Sequence, residues 1–204
     1  METDLTELLA LSAARHSHLC PRQVLGVRIG LAGAAALDLD VPRSDKRLLV
    51  ILETDGCFAD GVEVATGCSV GHRTLCIEDY GKVAATLVDV ATEQAVRVAP
   101  RLNVRQAAAA YAPDEPRRYF AQLRGYRVMP DAALLTIEPV QLLRPVSQIV
   151  SRAGLRVNCA GCGEEIMNER EVRANGLPYC RACAYGSYYA STILLPLPEM
   201  AYTG

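Results

Sequence analysis

Cys159-Ala-Gly-Cys162 and Cys180-Arg-Ala-Cys183 form two Cys-x-x-Cys pairs seventeen residues apart, and no other feature restricts the fold of this chain so tightly. Two residues between thiols let one tight turn present both sulfurs to a single ion, and two such turns close a tetrahedron around it. Gly161 and Gly163 give the first turn its backbone freedom. Four thiolates leave no open coordination position, so the site predicts a structural zinc. So short a segment has too little core to fold without a staple. Residues 151–190 are therefore read as a zinc-finger module of ribbon or treble-clef type, with residues 1–150 as a separate core domain and 191–204 as a C-terminal tail.

The chain carries eight cysteines among 204 residues. Its N-terminus, Met1-Glu2-Thr3-Asp4, is acidic where a secretory leader would be basic, and no long apolar segment follows. The glycine-interrupted stretch from Ile29 to Leu39 is too short to cross a bilayer. The expectation is a cytoplasmic protein away from the membrane, where cysteines serve metal binding or thiol chemistry rather than disulfides. A formal net charge of -2 gives no electrostatic footprint for nucleic acid. Between Cys159 and Cys183 the acidic Glu164, Glu165, Glu169 and Glu171 outnumber the basic Arg170, Arg173 and Arg181. That balance argues against a DNA-reading finger and for a packing module or one that contacts a protein partner.

The remaining pattern predicts an α+β fold, a mixed α/β core domain followed by the finger. Thr3 or Asp4 can cap a first helix through Leu5, Leu8 and Leu9, and Pro21 suits the first position of a second helix reaching about Leu37. Lys46–Thr54 reads as a strand buried on both faces, Asp55 as the N-cap of a helix over 56–66, and Gly67 as its close. Strands are expected over 74–77, 82–90, 94–98 and 134–143. Pro139 favours an edge position for the last of these. Helices are expected over 101–112 and 115–125, and 147–153 as a linker.

His16-Ser17-His18-Leu19-Cys20-Pro21 and Asp55-Gly56-Cys57 each lead into a predicted helix. Cys20 and Cys57 would then both meet a positive helix end, which favours thiolate, the form that ligates metals and attacks electrophiles. His18 and Cys20 are close enough to chelate one ion from an extended segment, and imidazole with thiolate suits zinc, nickel, iron or copper. The bland alternative makes both cysteines small core residues and both histidines incidental. Of three histidines in the chain, two fall here beside a cysteine, which favours a site. Cys68 sits in a predicted turn and could line such a site, whereas Cys76 in an apolar strand reads as simply buried. Lys82 could hold an anionic substrate or be an ordinary turn lysine, and the arginines from 97 to 127 read as solvated helix faces or partner contacts.

These residues carry a resemblance to the FmdE family, named for its link to formylmethanofuran dehydrogenase. It rests on His16-x-His18-Leu19-Cys20-Pro21, Gly26-Val27-Arg28-x-Gly30, Thr54-Asp55-x-Cys57-x-x-Asp60-Gly61, Thr66-Gly67-Cys68-x-x-Gly71, Asp79-Tyr80-Gly81-Lys82, Met129-Pro130-Asp131 and the four-cysteine finger, in that order. The resemblance implies an α+β core, a homodimer, a C-terminal zinc finger of the kind some members carry, and a pocket lined by the His/Cys motif with Asp55, Cys57 and Cys68 nearby. Ser17 stands where family members commonly have glycine, and His72 replaces part of a usual turn, adding a further possible ligand.

Three functional expectations follow. The leading one is a metal-binding accessory or regulatory protein with a structural zinc on the four finger cysteines. Its second metal, zinc or another transition metal, sits on His18, Cys20 and Cys57 with His16 as alternative ligand or supporting partner. A second is a metal- or cysteine-dependent enzyme acting on a small anionic substrate. There Cys20 or Cys57 is the nucleophile, Asp55 or Asp60 orients a histidine or acts as base, and Lys82 holds the anion. A third is a zinc-finger transcriptional regulator.

Overall fold

A computed structural model describes residues 4–150 and 152–190. Its contacts divide the chain into two units, 1–146 and 147–204.

Unit one opens with α1 (Leu5–Arg15) and α2 (Pro21–Ala36). Asp4 caps α1 by accepting a hydrogen bond from the Thr6 amide at 2.9 Å; Thr3, the other expected cap, lies outside the described residues. Pro21 begins α2 as expected, with Cys20 as its N-cap. Then come β1 (Leu48–Leu52), α3 (Cys57–Thr66), β2 (Leu75–Ile77), β3 (Ala85–Asp89) and β4 (Ala95–Pro100). The region expected as one helix over 101–112 divides into a single turn, α4 (Val104–Ala107), and a 3₁₀ turn, Ala108–Tyr111. Next are α5 (Arg118–Val128), α6 (Asp131–Leu134) and β5 (Leu135–Val140). A short helix, α7 (Val146–Val150), occupies much of the expected linker.

The five strands form one mixed sheet in the order β2-β1-β3-β4-β5. β1 and β2 are parallel and joined through α3, while the other neighbours are antiparallel. Pro139 does lie on an edge strand, β5. The apolar core joins Leu48, Val50 and Leu52 of β1 and Leu87 of β3 to Val24, Val27 and Ile29 of α2 and to Phe58 and Val62 of α3. Burial of these side chains is the main stabilising term. At its periphery Arg47 holds the buried Asp89 with two hydrogen bonds, of 3.1 and 2.9 Å.

Two close approaches decide how α2 and α3 lie. A Cβ at Gly26 would stand 2.3 Å from the Phe58 carbonyl oxygen, and one at Gly61 would stand 2.3 Å from the Gln23 carbonyl oxygen. Only glycine permits backbones this close. Gly30, four residues beyond Gly26, meets Ala65 and Thr66. The helices therefore run in the same direction, with their N-termini side by side.

Arg28 fastens α2 to the last turn of α5 and the chain just after it. Its guanidinium donates to the carbonyls of Tyr126 and Met129, both at 2.7 Å, and pairs with Asp131 at 2.6 Å.

Unit two contains the hairpins β6 (Arg156–Asn158) with β7 (Glu165–Met167) and β8 (Val172–Ala174) with β9 (Leu177–Tyr179), followed by α8 (Arg181–Tyr185). Among its described residues only Cys159 and Ile166 are buried. The residues of the expected tail, 191–204, lie outside those described.

Candidate metal and thiol centres

The finger site is built from two kinds of turn. Cys159 and Cys162 stand on the loop between β6 and β7, and Cys180 caps α8 with Cys183 in its first turn. One knuckle on a hairpin and one at a helix start is the treble-clef arrangement. The four sulfurs lie within 4.8 Å of one another, and Cys162 and Cys180 are 4.0 Å apart. A tetrahedron with zinc–sulfur bonds of ~2.3 Å has edges of about 3.8 Å, so the cage fits zinc. Backbone amides of Cys180 and Gly161 already point at the Cys159 sulfur, at 3.2 and 3.4 Å. The Cys180 and Cys162 amides pull the Cys159 thiol down to about 6, while the crowding sulfurs of Cys180, Cys159 and Cys162 push Cys183 up to about 12. Four sulfurs this close cannot all ionise unless a cation sits among them. Among the described residues this is the one group of three or more potential ligands drawn together so tightly.

The core centre lies where the parallel N-termini of α2 and α3 meet. Cys57 is the first residue of α3. The expected cap, Asp55, does not cap that helix; Gly56 does, at φ 76°, a backbone conformation that suits glycine, and Asp55 is exposed. Cys20, the N-cap of α2, is 7% exposed, and its thiol influences the ionisation of Cys57 at the neighbouring start of α3. Burial, with the Cys20 thiol next, raises the Cys57 thiol above its ordinary value. It therefore keeps its proton until a base or cation displaces it.

The base is adjacent. His16 places Nε2 3.2 Å from the Cys57 sulfur, and its Nδ1 stands 3.2 Å from an Asp60 carboxylate oxygen. Asp60, one turn into α3 from Cys57, thus fixes the ring so that Nε2 faces the sulfur. The His18 ring stands edge-on to that of His16, with centroids 5.4 Å apart. Ser17 between them has φ 63°, which accounts for glycine being at home in that position and for the sharp bend that brings both rings to one side.

Gln23, fully buried, holds this bend in place. Its Oε1 accepts from the Cys20 amide at 2.8 Å, and its Nε2 donates to the carbonyl and hydroxyl of Ser12 on α1, at 2.8 and 3.1 Å. The Cys20 end of the 16–20 segment is thereby tied to α1. The signal for Gln23 is its third position in the helix after a cap, where a glutamine side chain commonly reaches back to the cap amide.

The other sequence candidates lie apart from this centre. Cys68 is buried with its thiol donating to the Leu48 carbonyl at 3.4 Å, at the opposite end of β1 from Cys57, and His72 is exposed in the turn before β2. Lys82 rests over the Tyr80 ring, 5.9 Å from its centroid. Its amide and that of Tyr80 donate to the Glu53 carbonyl, so the 80–82 loop flanks the segment leading from β1 to Cys57.

No helix among the described residues is long and apolar enough to cross a membrane. Residues 15–136 match the family described as FmdE, molybdenum formylmethanofuran dehydrogenase operon, and residues 153–189 match the prokaryotic dksA/traR C4-type zinc finger. A probable S-adenosyl-L-methionine-binding protein of Archaeoglobus fulgidus is 36% identical over 100 residues, which are 48% of this chain and 27% of that protein. The match thus spans about a quarter of that relative's length. A crystal structure of a tungsten formylmethanofuran dehydrogenase FmdE-like protein from Syntrophus aciditrophicus superposes with a TM-score of 0.59 at 23% identity, covering 93% of this chain and 96% of that one.

Proposed function

The chain belongs to the FmdE family, and from that premise we propose that it is a metal-binding accessory protein with two centres: the finger zinc and a second ion in the core. Cys20, Cys57 and His16 would hold the second ion, with His18, whose ring stands against that of His16, as the further candidate ligand. The observation that carries this reading is the line Asp60–His16–Cys57, with 3.2 Å at each step. A histidine that ligates metal through one nitrogen characteristically gives its other N–H to a carboxylate, and His16 stands in that arrangement with Asp60. Two thiolates and an imidazole are donors for zinc or another borderline-soft transition metal. An ion bound there would supply Lewis acidity or charge neutralisation; the chain's own residues place the donors, and Asp60 keeps His16 in the tautomer that binds.

The accessory role is supported by the operon for which the family is described, that of a molybdenum formylmethanofuran dehydrogenase. The finger, whose surface is neither basic nor rich in catalytic groups, serves as a packing or partner module. A homodimer, which the family resemblance implies, would let either unit take that part.

Elemental analysis of the purified protein tests the reading. Two ions per chain, falling to one in His16→Ala/Cys20→Ala, support it. One ion per chain in both proteins would leave only the finger zinc and remove the second centre.

A further inference from the structure

Two thiols of unequal access stand at the neighbouring N-termini of α2 and α3. Cys57 is partly exposed at the start of α3, and Cys20 behind it is 7% exposed. Their separation is fixed by the glycine contacts that hold α2 against α3 and by Gln23 on the Cys20 amide. The partly exposed member has an imidazole nitrogen 3.2 Å from its sulfur, and that imidazole is oriented by Asp60. The remaining thiols of the described core unit differ: Cys68 is buried and bonded to a backbone carbonyl, and Cys76 is half-buried on β2, a strand that carries no histidine.

We propose that Cys20 and Cys57 form a redox-active dithiol that exchanges with small disulfides, Cys57 attacking and Cys20 resolving. His16 Nε2 takes the Cys57 proton while Asp60 holds the Nδ1–H. The thiolate attacks one sulfur of a disulfide RSSR, forming Cys57–S–S–R and expelling RS⁻, which takes the proton from His16 and leaves as RSH. Cys20 then attacks the Cys57 sulfur and releases the second R group as RSH, its own proton leaving with it. The protein loses two hydrogens, the small disulfide gains them, and no other oxidant is consumed. Because the same sulfurs serve the second metal, oxidation and metal binding exclude each other. The exchange chemistry itself stands on the geometry of the pair and not on the metal reading.

Oxidised glutathione is the probe. Full-length protein, its core freed of any second ion by mild chelation until one zinc per chain remains, is incubated with it, alkylated and mapped by peptide mass. The wild type is expected to yield a Cys20–Cys57 cross-link. Cys20→Ser is expected to accumulate glutathione on Cys57, Cys57→Ser to leave Cys20 unmodified, and His16→Gln to slow cross-linking on the order of 10²-fold. Glutathione appearing on Cys76 or on Cys20 as readily as on Cys57, or no cross-link in the wild type, overturns the proposal. The wild-type map needs no variant to fold. Cross-linking in a protein that binds only the finger zinc would sustain this inference and remove the second metal, and the reverse pattern would do the opposite.

Discussion

Gly61 of α3 lies so close to Gln23 of α2 that a Cβ would stand 2.3 Å from the Gln23 carbonyl oxygen, and four residues before Gly61 the same helix begins at Cys57. Spacing between backbones therefore sets the spacing between thiols. Gly61→Ala should force the helices apart and destabilise the protein by about 1–3 kcal/mol, the usual scale of overpacking. Thermal denaturation measures it. The variant should also lose core metal before it loses finger zinc, and an unchanged melting temperature would show that the helices are not in contact.

Asp60→Asn keeps the size of the side chain and removes its charge. If the carboxylate orients His16 for an ion, the variant should fold normally yet bind the second ion ~10- to 100-fold more weakly. Competition against a chromophoric chelator reads that affinity directly. Equal affinity would reduce Asp60 to a surface carboxylate.

Removal of the finger zinc should unfold one unit alone. With its zinc removed, unit two keeps only Cys159 and Ile166 as buried side chains among its described residues, too few to hold two hairpins. Hydrogen exchange should therefore show lost protection over 152–190, with β1 and β3 still protected. Retained protection in the hairpins would mean that the finger folds without its ion.

Stability should fall in acid through Asp89. Hydrogen bonds from Arg47 lower its carboxyl to about 2 in the folded protein, against ~3.9 in an unfolded chain. A depressed folded value means that the contribution is fully present above about pH 5 and is lost as the pH falls through 4 towards 2. Asp89→Asn should flatten that part of the pH–stability curve measured by urea denaturation. An identical acid slope in the variant would place the acid sensitivity elsewhere.

Much of this molecule can be read from its residues. Pro21 marks the start of α2 and so the capping position of Cys20, the finger spacing marks its cage, and Pro139 marks an edge strand. The shortfalls have physical causes. Asp55 has the chemistry of a cap, but Gly56 can take the positive φ that the turn into α3 requires, so the helix begins one residue later. Residues 101–112 are mostly good helix formers, yet Pro113 closes them and a 3₁₀ turn finishes the segment. Which histidine faces Cys57 is not legible, because His16 and His18 flank Ser17 symmetrically in sequence. The left-handed turn at Ser17 and the carboxylate of Asp60, forty-four residues from His16, make the choice. Contacts over such separations leave no periodic trace in a chain.

The thin interior of the finger has a further consequence. A unit that keeps its shape through one ion is conditional on supply, so a cell short of zinc would make the same polypeptide as a different molecule, with an intact core domain and no finger surface to offer.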